Sequence, residues 1–357
     1  MSARVTGVAV GVLAAVITAW SPATAWADDP SPKQVYEKAA PATVHVIGKY
    51  GAGTGFVYDA DEGLIVTNAH VIQGEVALKA VIGDGPPVPV RVLGIDPCED
   101  LAVLKFSSPR EDLKELKFGK SSDVGTADTV MALGYPASLG ETDATQNVAF
   151  TSGAVQTPEV GTTPLTSLPR YPSLIQHSAT VNPGSSGGPL LNAKGDVVGI
   201  NTLGYSEEGV SGQFYAISSD HAEPKLAALA AGDNKNDPGW WLLDMSDPSL
   251  PATFEEIGPA DSKAFQAFQK QGIDGVIALS VSPQSPAAKA NVGAGDVINM
   301  VKGEPVTSVA DVCDVLQSAG ASEKLSVDGV YTGTLTSTGG KPGEAWTAEV
   351  VLGGKKS

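Results

Sequence analysis

Cysteine and histidine are scarce in this sequence of 357 residues, which contains two cysteines and four histidines. Two cysteines, Cys98 and Cys313, cannot form the dense disulfide framework that holds small secreted proteins together, so packed apolar cores must provide the stability. Export would permit a single bridge between them, and two separate buried thiols are the simpler interpretation. Four histidines leave few candidates for chemistry that needs an imidazole.

Positive charge is also scarce. Lys and Arg number 23 against 40 Asp and Glu, which gives a net charge of −17 and makes nucleic acid an unexpected partner. After residue 27, no apolar stretch is long enough to span a bilayer, and no basic amphipathic helix indicates a membrane surface. The zinc motifs HExxH and paired CxxC, the P-loop and the dinucleotide fingerprint are missing, so we expect no metal and no cofactor.

Residues 1–27 have the pattern of a signal peptide. Arg4 precedes an apolar run from Val8 to Ile17, and the small-residue sequence "AWA" ends at Ala27. This run is shorter than the ~20 residues of a membrane-spanning helix, which disfavours a retained anchor. We therefore expect an exported protein (extracellular, cell-envelope or periplasmic) that is soluble after the signal peptide is cleaved.

Glycine and proline, in contrast, are abundant, with 41 and 25 residues. They separate short runs in which apolar residues alternate with polar or small ones, as in β-strands. One group of runs lies between residues 42 and 106 and another between residues 129 and 218, and together they predict two successive β-barrels. A helical pattern from Ala222 to Ala231 and a linker composition at Gly232–Gly239 predict a separate domain from about Gly239.

The stretch "NPGSSGGPLLN" (Asn182–Asn192) places two adjacent serines in a turn of glycine and proline. A nucleophilic serine needs a base, a group that orients the base, and donors for the oxyanion. His70 closes the strand-like run "LIVTNAHV", and Asp100 in "DPCEDLAVLKF" directly precedes another strand. Asp96, which precedes Pro97, is a competing candidate for the carboxylate. The simpler alternative is a turn whose serines bond only to neighbouring backbone.

Three blocks carry a resemblance to a known family: "GAGTGFVYDADEGLIVTNAHVI", "DPCEDLAVLKF" and "NPGSSGGPLLNAKGDVVGINT". They resemble the catalytic blocks of the HtrA/Deg serine proteases in sequence, order and spacing. The resemblance implies a mainly β, chymotrypsin-like double β-barrel protease domain followed by a smaller α+β PDZ-like domain. It also implies hydrolysis of peptide bonds in unfolded or misfolded proteins, and a homotrimer.

The resemblance also implies the roles of individual residues. Ser186 becomes the nucleophile, His70 the general base and Asp100 the residue that holds the imidazole tautomer. The oxyanion hole maps to Gly184, Ser185 and Ser186, with the N–H groups of Gly184 and Ser186 as donors. Ser185 stands where the family usually has Asn, so the loop geometry is less well defined than the residue identities.

The position at the base of the primary substrate pocket is Thr180, six residues before the nucleophile. A neutral hydroxyl there cannot compensate the desolvation of a Lys or Arg side chain. We therefore expect cleavage after small or medium apolar residues. The acidic turn Asp59–Gly63 has only part of a calcium-loop pattern, and a solvated hairpin turn is the better interpretation.

The stretch "GVIALSVSPQSPAAKANVGAGDVINMVKGEPV" resembles a PDZ domain. Asn291 stands where the family usually has Gly and suits a left-handed conformation. A capping-box spacing at Ser308 predicts a groove helix from Val309 to Ala319. The domain is atypical because "GWWLLDM", the candidate carboxylate loop, lacks the family's glycine and lies about thirty residues before "GVIALSV".

These interpretations divide the chain into a signal peptide (1–27), a protease domain (28–225), a linker (226–238) and a PDZ-like domain (239–357). Two other functions stay open at this point. One is a peptide-binding chaperone or scaffold with an inactive protease site, and the other is an esterase that uses the same triad.

Overall fold

The computed structural model describes residues 29–49, 51–137, 147–161, 166–207, 210–335 and 340–353. The predicted signal peptide therefore lies outside the described residues. The first element is helix α1 (Pro32–Ala39), which begins at the N-cap Ser31 with a complete capping box to Gln34. Val35 and Ala39 on one face of this helix are buried in the protease core.

The first barrel is closed and has six strands in the order β1-β2-β3-β6-β5-β4. Its strands are β1 (Thr43–Ile47), β2 (Ala52–Asp59), β3 (Leu64–Thr67), β4 (Leu78–Val81), β5 (Val88–Asp96) and β6 (Leu101–Phe106), with the short helix α2 (Ala69–Ile72) after β3. Neighbouring residues point to opposite faces of each strand. Ile65 accordingly fills the barrel, whereas Val66 packs in the core shared with the second barrel.

The second barrel is also closed, in the order β10-β11-β12-β9-β8-β7. Its strands are β7 (Thr129–Gly134), β8 (Ala149–Val160), β9 (Leu174–His177), β10 (Pro189–Leu191), β11 (Val197–Glu207) and β12 (Val210–Ser218), and helix α3 (Ser219–Ala230) follows. The catalytic blocks of the sequence thus lie on both barrels. The fold class predicted from the resemblance is confirmed for this part of the chain.

The C-terminal domain contains an antiparallel sheet in the order β13-β14-β15-β17-β18, with β16 paired to β15. The strands are β13 (Trp240–Asp244), β14 (Val276–Val281), β15 (Asp296–Val301), β16 (Glu304–Pro305), β17 (Lys324–Tyr331) and β18 (Ala345–Val351). The helices are α4 (Leu250–Ile257), α5 (Pro259–Gln269), α6 (Pro286–Lys289) and α7 (Val309–Ser318).

Two local predictions for this domain are confirmed. Helix α7 begins with a capping box between Ser308 and Asp311, and Asn291 has a φ of 61°. The thirty residues that make the domain atypical contain α4 and α5. Phe254 and Phe265 of these helices stack at 4.1 Å between ring centroids and pack on the sheet.

The simpler interpretation of the cysteines was wrong. Cys98 and Cys313 form a disulfide with a Cα–Cα distance of 5.3 Å. Helix α7 packs against the turn that precedes β6, and this packing brings together two residues that are 215 positions apart in the chain. Sequence spacing gives no sign of such a contact, because it depends on how the two domains dock.

Helix α3 begins three residues earlier than the pattern predicted. No helix in the described part of the chain has both the length and the apolar character needed to cross a membrane.

Candidate active site

His70 and Asp100 meet at the edge of the first barrel. His70 lies in the first turn of α2, directly after β3, and Asp100 ends the turn that leads into β6. The Nδ1 atom of His70 lies 2.9 Å from Oδ1 and 3.0 Å from Oδ2 of Asp100. The backbone N–H of His70 also donates to Oδ1 over 3.0 Å. This geometry orients the imidazole, with Nδ1 held by the carboxylate and Nε2 left for other contacts.

Asp100 is 2% exposed and is held by neighbours from both barrels. Thr202 Oγ1 donates to its Oδ2 over 2.7 Å, and the Tyr171 hydroxyl donates to the same oxygen over 3.2 Å. The Asn68 side chain donates to the backbone carbonyl of Asp100 over 2.9 Å. The Thr202 and Tyr171 donors compensate the burial of the carboxylate.

The charges of the pair shift both pKa values. Burial disfavours the imidazolium form of His70, but the charge and hydrogen bond of Asp100 outweigh it and raise the His70 pKa above its ordinary value. Burial likewise disfavours ionised Asp100, yet the contacts with His70 and Thr202 hold the Asp100 pKa below its usual range. The pair is therefore built to stabilise an imidazolium.

Asp96, the competing carboxylate, has a different position. Its Oδ1 accepts hydrogen bonds from the backbone of Cys98 and Glu99, and its Oδ2 accepts one from Asn236 over 2.9 Å. Asp96 thus shapes the turn that presents Asp100. The structure brings Asp100, rather than Asp96, to His70.

The two serines lie in consecutive tight turns. Ser185 N–H donates to the Asn182 carbonyl across Pro183–Gly184, and Gly188 N–H donates to the Ser185 carbonyl across Ser186–Gly187. Gly184 has a φ of 96° and Gly187 a φ of 86°, as type II turns require at their third position. A Cβ on Gly184 would lie 2.4 Å from the Tyr135 carbonyl oxygen. Glycine is therefore required there by both conformation and space.

Thr202 connects Ser186 to the His70–Asp100 pair. The Ser186 hydroxyl donates to the Thr202 carbonyl over 3.2 Å, and Thr202 Oγ1 donates to Asp100. No hydrogen bond joins Ser186 Oγ to the His70 ring in the described part of the chain. The loop is anchored to the first barrel, because Thr54 N–H donates to the Ser186 carbonyl and Thr54 Oγ1 donates to the Gly184 carbonyl.

The backbone amides of this loop divide into two groups. The N–H groups of Ser185, Gly187 and Gly188 are bonded within the fold. Among the described residues, the N–H groups of Gly184 and Ser186 have no acceptor. These two donors suit an oxyanion hole. Ser185 belongs to the turn, but its amide is engaged and supplies no donor.

Thr180 is exposed on the segment before this loop, and its carbonyl accepts a hydrogen bond from Thr151 Oγ1 over 2.8 Å. Gly204 lies close to this segment and to the Phe214 ring. A Cβ on Gly204 would meet that ring at 3.2 Å and the Val181 carbonyl at 3.5 Å. The adjacent His177 is buried, and burial lowers its pKa to about 4, so it is neutral near pH 7.

The remaining histidines have structural surroundings. His45 is buried in β1 and stacks on Tyr135 at 4.7 Å, and His221 Nε2 lies 2.6 Å from Glu99 Oε2. The acidic turn between β2 and β3 has no metal-binding cluster, and neither does any other group of described side chains. Sequence reasoning missed Thr202, Tyr171 and Thr54, which hold the site together.

Known protein families and solved structures are similar to this chain over most of the described residues. Residues 53–200 match the family model of the trypsin-like peptidase domain, and residues 277–328 match that of the PDZ domain. The putative serine protease HhoA of Synechocystis is 31% identical over 84% of this chain and 73% of its own length. This chain belongs to the HtrA family of serine proteases.

Other members of the HtrA family extend the comparison. The serine protease Do-like HtrB of Bacillus subtilis is 35% identical over 74% of this chain and 56% of its own length. A probable periplasmic serine endoprotease, DegP-like, of Brucella suis is 34% identical over 49% of its own length. The chain thus spans about half the length of these two relatives. A solved HtrA-type protease, a variant of AlgW with a tripeptide, superposes with a TM-score of 0.51 and 25% identity over 92% of this chain and 99% of its own.

Proposed function

We propose that this chain is an exported serine endopeptidase that hydrolyses peptide bonds of unfolded or misfolded proteins through an acyl-enzyme on Ser186. The observation that carries the proposal is the position of Thr202. Its Oγ1 donates to Asp100 over 2.7 Å and its carbonyl accepts from Ser186 over 3.2 Å. One residue therefore contacts both the acid of the His–Asp pair and the candidate nucleophile.

The reaction follows from the groups present. Ser186 Oγ leaves the Thr202 carbonyl, transfers its proton to His70 Nε2 and attacks the substrate carbonyl carbon. The N–H groups of Gly184 and Ser186 bind the oxyanion, and Asp100 stabilises the imidazolium. His70 then protonates the leaving amine. A water molecule gives a proton to His70 and attacks the acyl carbon, and His70 returns that proton to Ser186 Oγ as the acid product leaves.

The primary pocket supports a preference for small or medium apolar side chains. The pocket position Thr180 is uncharged, and the Phe214 ring occupies the space beside Gly204 and Val181. A neutral hydroxyl at Thr180 cannot compensate the desolvation of a long cationic side chain. Sequencing the peptides from a digested unfolded protein tests this point, and predominant cleavage after Lys or Arg would contradict it.

The PDZ-like domain has an edge strand, β13, that an extended chain could join once the bonds of its Trp240 carbonyl and Asp244 N–H to Gln73 and Ser167 are released. Strand β13 ends the sheet, and α7 packs beside it, as in peptide binding by strand addition. Export and a homotrimer remain predictions. The Brucella relative is named as a probable periplasmic protein, which supports export. Sedimentation at micromolar concentration tests the trimer.

The deciding experiment is labelling with a fluorophosphonate, which reacts with an activated serine. The wild-type protein should be labelled and should cleave casein, whereas Ser186→Ala should lose both activities and keep its fold. Ser185→Ala, a change at the adjacent serine, should retain the label. A wild-type protein that takes no label would indicate a peptide-binding scaffold, and labelling without casein cleavage would favour an esterase.

A further inference from the structure

A cleft of about 400 Å³ lies between the catalytic barrels and the PDZ domain. Its protease wall includes His70, Pro97 and Leu203, and its PDZ wall includes Trp241, Leu243 and Val309. No residue of the Thr180–Ser186 segment lines it. The cleft is therefore separate from the primary pocket, although it borders the catalytic histidine.

The cleft has the character of a binding site for apolar side chains. Its volume falls within the range of about 300–1,000 Å³ that is common for ligand sites. Trp241 is 42% exposed although it is one of the largest apolar side chains in the domain. The carboxylates in the lining, Asp100 and Asp247, are already bonded, the first to His70 and the second to Ser167 and Ser249.

Three contacts fix the two walls relative to each other. The Cys98–Cys313 disulfide joins the Asp100 turn to α7. Gln73, one residue after α2, donates from its side chain to the Trp240 carbonyl over 3.0 Å. Ser167 and Asp244 are joined by two hydrogen bonds of 2.8 Å. The Ser167 N–H donates to Asp244 Oδ2, and the Asp244 N–H donates to Ser167 Oγ. The cleft is thus a built feature of the docked domains.

One edge of β11 indicates the direction in which a substrate chain would bind. The pairing of β11 with β10 ends at Ile200, and Asn201 is bonded to Gly187 and Gly188. From Leu203 onward, this edge of β11 carries no strand in the part of the chain that the structure describes. A substrate that adds antiparallel to this edge, with its scissile carbonyl at Ser186, places the residues that precede the scissile bond along Leu203 and Gly204.

We propose that the PDZ wall of this cleft, with Trp241 as its main contact, forms a second specificity site of the protease. Its occupants are the apolar side chains of the two or three substrate residues that precede the residue in the primary pocket. The inference rests on the proposed proteolytic function, and it makes the PDZ domain part of the substrate-binding surface next to His70.

The test compares two chromogenic peptide amides with the same Ala or Val before the cleaved bond. One carries Leu at the two or three preceding positions and the other carries Gly there. For the wild type we expect kcat/KM to be at least about tenfold higher for the Leu peptide, as for one or two apolar groups that gain burial. In Trp241→Ala this ratio should fall to about threefold or less, and Trp241→Phe should restore most of it.

Val351→Ala is the matched control, because Val351 is 44% exposed at the opposite edge of the same sheet and does not line the cleft. It should keep the wild-type ratio. A Trp241→Ala protein that keeps the full preference for Leu, or an equal loss in Val351→Ala, would overturn the proposal.

A binding measurement separates this inference from the proposed function. A fluorescent, Leu-rich hexapeptide amide, which lacks the free carboxylate of a chain end, should bind Ser186→Ala at least about fivefold more tightly than it binds Ser186→Ala/Trp241→Ala. This outcome supports the cleft even if the wild-type protein cleaves nothing, and equal affinities would contradict it even if the protease is active.

Discussion

The hydroxyl of Tyr171 donates to Oδ2 of Asp100 over 3.2 Å. The preceding residue, Arg170, makes an ion pair with Asp314 on α7, with 2.9 Å between Nε and Oδ2. Two adjacent residues therefore contact Asp100, the candidate catalytic carboxylate, and helix α7 of the PDZ domain. The loop before β9 connects these two parts of the molecule directly.

Tyr171→Phe should lower kcat/KM by about 10- to 100-fold, because it removes a hydrogen bond to a buried charge that is worth about 1.5–3 kcal/mol. Kinetics on a chromogenic peptide measure this effect. Tyr215→Phe is the control, since the Tyr215 hydroxyl bonds to Gln176 and Gln213 in the second barrel. Equal activity of Tyr171→Phe and the wild type would show that Thr202 and His70 suffice to hold Asp100.

The pH profile of kcat/KM should rise with pH to a plateau, because the neutral imidazole of His70 is the base. Its midpoint should lie above about 6.5, since Asp100 raises the His70 pKa. Asp100→Asn should move the midpoint to lower pH and reduce kcat by about 10⁴-fold. NMR titration of His70 in Ser186→Ala gives the same pKa without turnover. A midpoint that stays in place in Asp100→Asn would contradict the pairing.

Gly184→Ala should reduce kcat by about 10²-fold or more, because a Cβ there collides with the Tyr135 carbonyl and displaces an oxyanion donor. Gly303→Ala is the matched control. Gly303 also has a positive φ, of 79°, but no atom lies within 4 Å of its added Cβ. Both variants should lose some stability in denaturant unfolding, and only Gly184→Ala should lose catalysis. Retained activity in Gly184→Ala would count against this oxyanion hole.

Asp237→Asn should stabilise the protein at pH 8 by about 1–3 kcal/mol. Burial, together with the charge of Asp96, raises the Asp237 pKa to about 6. A carboxyl group whose pKa is raised in the folded state stabilises that state below the unfolded pKa of about 4, and this contribution is lost as the pH rises through about 6. Asparagine keeps the acceptor for the Gly239 N–H. Urea unfolding should show the gain at pH 8 and little gain at pH 4, and a gain equal at both values would exclude the electrostatic cause.

Local patterns in the sequence predict the strands and the groove helix, whereas the roles of His70, Asp100 and Ser186 are predicted from the resemblance of three sequence blocks to the HtrA/Deg family. The strands and the groove helix depend on neighbouring residues, through the alternation of apolar and polar positions in a strand or the capping box at the start of the helix. Thr202 and Tyr171 reach Asp100 from the second barrel, and their positions depend on how two closed sheets pack. The Cys98–Cys313 contact depends on the docking of two domains, which no local pattern encodes.

The disulfide also changes what separation of the two domains means. Cys98 is 1% exposed and lies two residues before Asp100. Truncation after Gly239 would leave this thiol without its partner and would uncover Pro97 and Leu203. A loss of activity in such a fragment would therefore have a second cause besides the loss of peptide capture. Conversely, a single cut in the linker Gly232–Gly239 would not release the PDZ domain. The fragments would separate on a gel only after reduction, because the bridge keeps both domains in one covalent unit when the main chain between them is broken.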